Sequence, residues 1–152
     1  MACITRIYGK ILVVLLTGLG FSCGPFNAAA EYGMPRATFK TKGIVVSQTD
    51  KTPIEGIRAE FGITYEDDEY FYEIDTTYTN DKGAFNLKGV KNAYEKKLYV
   101  RLTDVGGDEN GVFIDKEIEV DYSDAKFTGA SGNWNRGTAE VDLGTIEMEL
   151  KE

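Results

Sequence analysis

The sequence contains no histidine and only two cysteines, Cys3 and Cys23. Without an imidazole, the usual general base, the usual zinc ligand and every Ser/His or Cys/His nucleophilic pair are missing. Positive charge is also scarce. Lys and Arg number 17 against 25 Asp and Glu, a net charge of −8, so phosphate backbones repel the chain and nucleic acid is disfavoured as a partner. No hydrophobic run reaches the length of a transmembrane helix. At 152 residues there is room for one domain and a short appendage.

The N-terminus reads as an export signal. Arg6 and Lys10 precede the apolar run Ile11-Leu12-Val13-Val14-Leu15-Leu16, which matches the basic and apolar regions of a secretory signal. Two cleavage positions compete. Gly20-Phe21-Ser22-Cys23 puts a cysteine just beyond the apolar run, as in bacterial lipoproteins, although Leu19 and Phe21 displace the usual pattern by one position. Ala28 and Ala30 offer a conventional A-x-A site further on. Cysteine arithmetic favours the first, because Cys3 leaves with the signal and the remaining thiol then has no disulfide partner. Lipidation of Cys23 is the simplest use for it. The expected organisation is a lipoprotein signal over 1–22, a lipidated tether over 23–35 carrying Pro25 and Pro35, and a domain over 36–152. Loss of Arg6 and Lys10 leaves the mature chain more acidic than its precursor.

From Arg36 onward, short alternating runs are separated by Gly, Asn and Asp clusters, and no helical stripe is sustained. The pattern predicts seven strands at 37–48, 56–64, 70–78, 84–88, 97–105, 112–122 and 138–150. Leu98, Val100 and Leu102 fall on one face of the fifth, and Ile114, Ile118 and Val120 on one face of the sixth. The expected fold is all-β, a seven-stranded antiparallel β-sandwich. Thr79-Asn80-Asp81-Lys82-Gly83 has the composition of a tight turn.

Two places carry candidate chemistry. Asp104-Val105-Gly106-Gly107-Asp108-Glu109-Asn110-Gly111 could supply calcium with oxygen ligands from Asp104, Asp108 and Asn110; the same residues are also ordinary solvated turn formers. Trp134, the single tryptophan, lies in a Gly-rich connection over 124–137 and marks a candidate binding surface; its alternative role is to cover the open end of the fold. The acidic run Glu66-Asp67-Asp68-Glu69 reads as a solvated loop, and Tyr70-Phe71-Tyr72 puts aromatic rings on both faces of one strand.

Lys42-Gly43-Ile44-Val45-Val46, Thr52-Pro53-Ile54-Glu55-Gly56-Ile57-Arg58-Ala59 and Thr79 to Phe85 resemble the opening of the carboxypeptidase regulatory-like, transthyretin-type β-sandwich domains. A narrower resemblance rests on Gly20 to Cys23, Glu31 to Phe39 and Asp104 to Gly111. Together these are similar to lipoproteins of Bacteroidales encoded beside a radical SAM enzyme. The resemblance implies a small membrane-anchored sandwich with a radical SAM enzyme as partner. Its role would be that of a non-catalytic binding or accessory module or, alternatively, of a protein substrate modified before export. Gly24-Pro25-Phe26-Asn27 lacks the acidic residues that follow the cysteine in surface-exported lipoproteins of that lineage, which implies a periplasm-facing location in the cell envelope.

Overall fold

The computed structural model describes residues 33–65, 70–106 and 111–151, so the expected signal, most of the tether and Cys23 lie outside the described residues. Among the described residues seven strands form: β1 (Arg36–Ser47), β2 (Ile57–Thr64), β3 (Phe71–Tyr78), β4 (Ala84–Asn92), β5 (Lys97–Asp104), β6 (Lys116–Asp121) and β7 (Asn135–Met148). They build a three-stranded sheet in the order β4-β1-β7 and a four-stranded sheet in the order β3-β2-β5-β6.

Period-two alternation builds the core. Ala37, Phe39 and Val45 of β1, Ile57, Ala59, Phe61 and Ile63 of β2, and Leu98, Val100 and Leu102 of β5 are all buried, and both sheets contribute to one apolar cluster. Opposite Leu98, Val100 and Leu102, the intervening Lys97, Tyr99 and Arg101 face outward and pair with Glu119 and Glu117 of β6.

Two expectations need correction. β7 runs parallel to β1, not antiparallel, in a register from Arg36 opposite Asn135 to Ser47 opposite Met148. Parallel neighbours need a long crossover, and the chain supplies one by building the whole of the other sheet before it returns to the side of β1. The second correction concerns Ile114, which is 47% exposed while Phe113 is buried. Residues 112–114 do not belong to β6. They cross to the C-terminal segment, where Ile114 N–H donates to the Glu149 carbonyl (2.8 Å) and Lys151 N–H to the Val112 carbonyl (2.7 Å), so their alternation follows another partner.

The turn between β3 and β4 passes from one sheet to the other. Asn80 Oδ1 accepts from the N–H groups of Lys82 and Ala84, both at 3.0 Å. Gly83 has φ 70°, and a Cβ there would lie 2.2 Å from the Val45 carbonyl oxygen, so only glycine fits. Thr79 is buried and bonds both the Ile54 carbonyl (2.7 Å) and the Ile57 N–H (2.9 Å), which ties the turn to the start of β2.

A second buried polar contact spans the sheets. Tyr122, just past β6, donates its hydroxyl proton to the Lys40 carbonyl (2.9 Å) in the central strand of the opposite sheet. The Thr41 hydroxyl, fully buried in the same strand, then acts as donor to the tyrosine oxygen. Burial pushes the Tyr122 phenol up to about 12.

Leu102→Ala is expected to cost about 2–5 kcal/mol, whereas Arg101→Ala, losing an exposed ion pair and a contact over the Phe71 ring, costs about 1 kcal/mol or less, as read by urea unfolding. Tyr122→Phe leaves the Thr41 hydroxyl buried without its partner and is expected to cost about 1–3 kcal/mol at pH 7. The folded phenol releases its proton later than an unfolded one. Its contribution is therefore complete below about pH 10 and is lost as pH rises towards 12, an alkaline decline that Tyr122→Phe should flatten in unfolding curves across that window.

Candidate binding surface

Asp104 closes β5 and binds its own loop. Its Oδ1 accepts from the Gly106 N–H (2.9 Å) and its Oδ2 from the Phe113 N–H (3.0 Å), so one carboxylate clamps both ends of the connection to β6. Asp108 and Asn110, the other expected calcium ligands, lie outside the described residues. Among the described residues no group of three or more His, Cys, Asp or Glu side chains is placed to hold a metal ion. Gly111 has φ 83°, and a Cβ there would meet Leu150 at 2.6 Å, which returns the loop against the C-terminal segment.

The long connection containing Trp134 is more ordered than its composition suggests. Thr128 and Thr138 exchange both backbone hydrogen bonds (2.9 and 2.8 Å), and Ser131 N–H donates to the Asn135 carbonyl (3.0 Å). The Asn135 side chain adds two bonds, one to the Ser131 hydroxyl (3.1 Å) and one from the Gly137 N–H (2.9 Å). These contacts make residues 128–138 a cross-bridged hairpin whose second arm runs into β7. The Trp134 carbonyl accepts from the Arg36 N–H (2.8 Å), and its ring, 36% exposed, lies alongside Gly33 where the chain reaches the domain.

Sequence reasoning missed the neighbours of this hairpin. An open cleft of about 440 Å³ is lined by Ala93 and Tyr94 from the β4–β5 turn and by Phe127, Ala130 and Arg136 from the hairpin side. The one signal in the sequence is the succession Asn135-Arg136-Gly137, a cation set between two residues suited to unusual backbone angles. A separate tyrosine group, Tyr65, Tyr70 and Tyr72, stands at the β3 edge with edge-to-face ring contacts at 5.5 and 4.9 Å. Phe71 points to the outer face instead, beneath the Arg101 guanidinium at 4.3 Å. Glu66 to Glu69 lie outside the described residues.

The Asp104 clamp has a measurable consequence. Asp104→Ala orphans two backbone N–H groups and is expected to lower stability by about 1–3 kcal/mol, in melts run with chelator as well as without it, because the loss is of loop closure.

No protein-family model matches the chain, and no curated protein matches it. Among solved structures the chain is similar to a 9R-lipoxygenase from Cyanothece PCC8801, with 14% identity over 71% of this chain and a TM-score of 0.42. It is similar to a 3-chlorocatechol 1,2-dioxygenase from Rhodococcus opacus 1CP, with 11% identity over 80% and a TM-score of 0.45. For an (S)-allantoin synthase the figures are 16% identity over 76% and a TM-score of 0.38. The chain spans 16%, 62% and 42% of the lengths of these three proteins, respectively.

Proposed function

We propose that this chain is a lipid-anchored, non-catalytic β-sandwich of the carboxypeptidase regulatory-like, transthyretin type. It works as a binding or accessory module on the periplasmic side of the cell envelope, in a system that includes a radical SAM enzyme. The observation that carries the binding role is the cross-bridged hairpin, which presents Trp134 on a backbone locked by four hydrogen-bonded residues, Thr128, Ser131, Asn135 and Thr138. A rigid scaffold offering an accessible aromatic ring loses little conformational entropy when a partner arrives. The anchor is supported by the apolar run Ile11 to Leu16 followed closely by Cys23 and by the lack of a disulfide partner for that thiol once Cys3 leaves.

The anchor is tested first. Cys23→Ser should move the protein from the membrane pellet to a soluble or unprocessed pool, and the wild-type mature chain should begin at Cys23 with an acyl mass increment. Recovery of native protein that begins at Glu31 without any acyl group would overturn the anchored reading.

A further inference from the structure

We propose that the cleft beside the hairpin binds a carboxylate carried on a six-membered ring, with the Arg136 guanidinium taking the carboxylate and the Tyr94 and Phe127 rings flanking the body. The proposal rests on the reading of this domain as a binding module and names the chemistry of its ligand.

The first observation is the backbone at Arg136. Between the pairs Arg36 opposite Asn135 and Thr38 opposite Thr138, two residues of β7, Arg136 and Gly137, face the single residue Ala37 of β1. This is a β-bulge, a device that re-aims a side chain away from the regular alternation. Gly137 locks it: its φ is 90°, and a Cβ would lie 2.2 Å from the Thr128 carbonyl oxygen, so no other residue fits without moving the hairpin. The sheet thus departs from regular pairing at the position that turns Arg136 into the cleft.

The second observation is electrostatic. The chain carries 25 Asp and Glu, and two of its described arginines use them: Arg101 pairs with Glu117 at 2.9 Å and Arg58 with Glu60 at 3.5 Å. The Arg136 side chain makes no hydrogen bond or ion pair among the described residues. No carboxylate lines its cleft. Two other clefts of this domain are lined by acids, Glu55 and Asp81 in one and Asp115, Glu147 and Glu149 in the other. An unpaired guanidinium in an acid-free cleft of an acidic protein selects an anion, and its planar fork matches a carboxylate through two parallel hydrogen bonds.

The walls define the rest of the ligand. Phe127 is 38% exposed, and the part of its ring turned inward meets Phe39 edge-on at 5.9 Å. Phe39 in turn meets the buried Tyr122 at 4.9 Å, so this wall is fixed by the core. Tyr94, 63% exposed, forms the other wall from a turn held by the Asn92 side chain, which accepts its N–H at 3.1 Å. Flat aromatic walls with Ala93 and Ala130 between them suit a ring, and about 440 Å³ falls in the range of small-molecule sites. A carboxylated pyranose and an aryl carboxylic acid share this chemistry.

The test is calorimetric titration of the full-length chain in non-ionic detergent with glucuronate and with benzoate, using glucose and acetate as controls. One or both ring carboxylates should bind, with glucose and acetate each weaker by about tenfold or more, since each lacks one of the two contacts. Binding of glucuronate alone assigns a sugar acid and binding of benzoate alone an aryl acid, and either supports the proposal. Arg136→Met should weaken binding by about tenfold or more and Tyr94→Ala by severalfold, with unfolding transitions unchanged because both side chains are exposed. Absence of binding by both ring carboxylates, unchanged affinity in Arg136→Met, or acetate binding as tightly as either would overturn it. Membrane fractionation of the same preparations reads the anchored-module proposal separately and does not depend on which of these results is obtained.

Discussion

The hydroxyl of Tyr122 links the two sheets from within their shared core. It reaches from the end of β6 to the carbonyl of Lys40 and the hydroxyl of Thr41, both in the central strand of the other sheet. A buried hydroxyl without a partner costs free energy; the Thr41 hydroxyl is satisfied by the tyrosine oxygen, and the phenol by the Lys40 carbonyl that takes its proton. Apolar packing alone would allow the sheets to slide; this pair favours one relative position. The tyrosine ring also begins an edge-to-face series through Phe39 to Phe127, which carries the order of the core outward to the wall of the cleft. The shape of the surface there is therefore set from within.

The sheet edges are treated in a consistent way. At one side, Asp75 of β3 accepts the Lys88 N–H of β4 at 2.8 Å, so a side chain satisfies a donor that has no strand partner. At the other, Lys116 donates to the Glu147 carbonyl at 2.8 Å and residues 112–114 pair with the C-terminal segment, which joins the β6 side to the β7 side. The outer faces are crossed by ion pairs between neighbouring strands, such as Lys42 with Glu140 at 2.8 Å and Lys97 with Glu119 at 2.8 Å. The hydrogen bond in the first pair raises the lysine pKa and lowers that of the glutamate, so both stay charged across the neutral range. These exposed pairs add little stability, but they set charge on the edge strands β6 and β7 and discourage pairing with foreign edges there.

The strands were legible because alternation is a local property. Leu98, Val100 and Leu102 announce a buried face without reference to any other part of the chain, and β5 forms there. The direction of a neighbour is not local. Nothing within residues 135–148 distinguishes an antiparallel edge from the parallel partner of β1, because the difference lies in the path taken by the preceding chain. Ile114 departs from the face its local alternation suggests for a related reason: its backbone pairs with Glu149, a contact that no short window contains. At the candidate site, Trp134 was visible as the single tryptophan in a Gly-rich connection, whereas Arg136 was not. Its interest depends on the bulge that turns it and on the acids that are missing around it.

By itself, the sequence determined the kind of structure: period-two apolar runs without a helical stripe can bury their faces only as strands, and Gly83 and Asn80 dictate their own turn because the backbone angles there are a property of those residues. Tertiary structure decided what depends on chain segments far apart in sequence. Thr41 and Tyr122 acquire a partner only when the sheets meet, and Asp104 becomes a clamp only when Phe113 returns to it. Arg136 faces a cleft only because a strand that begins a hundred residues earlier lies beside it. Local torsional preference can be read from neighbouring residues, while hydrogen bonds and packing across the fold exist only after the chain has closed on itself.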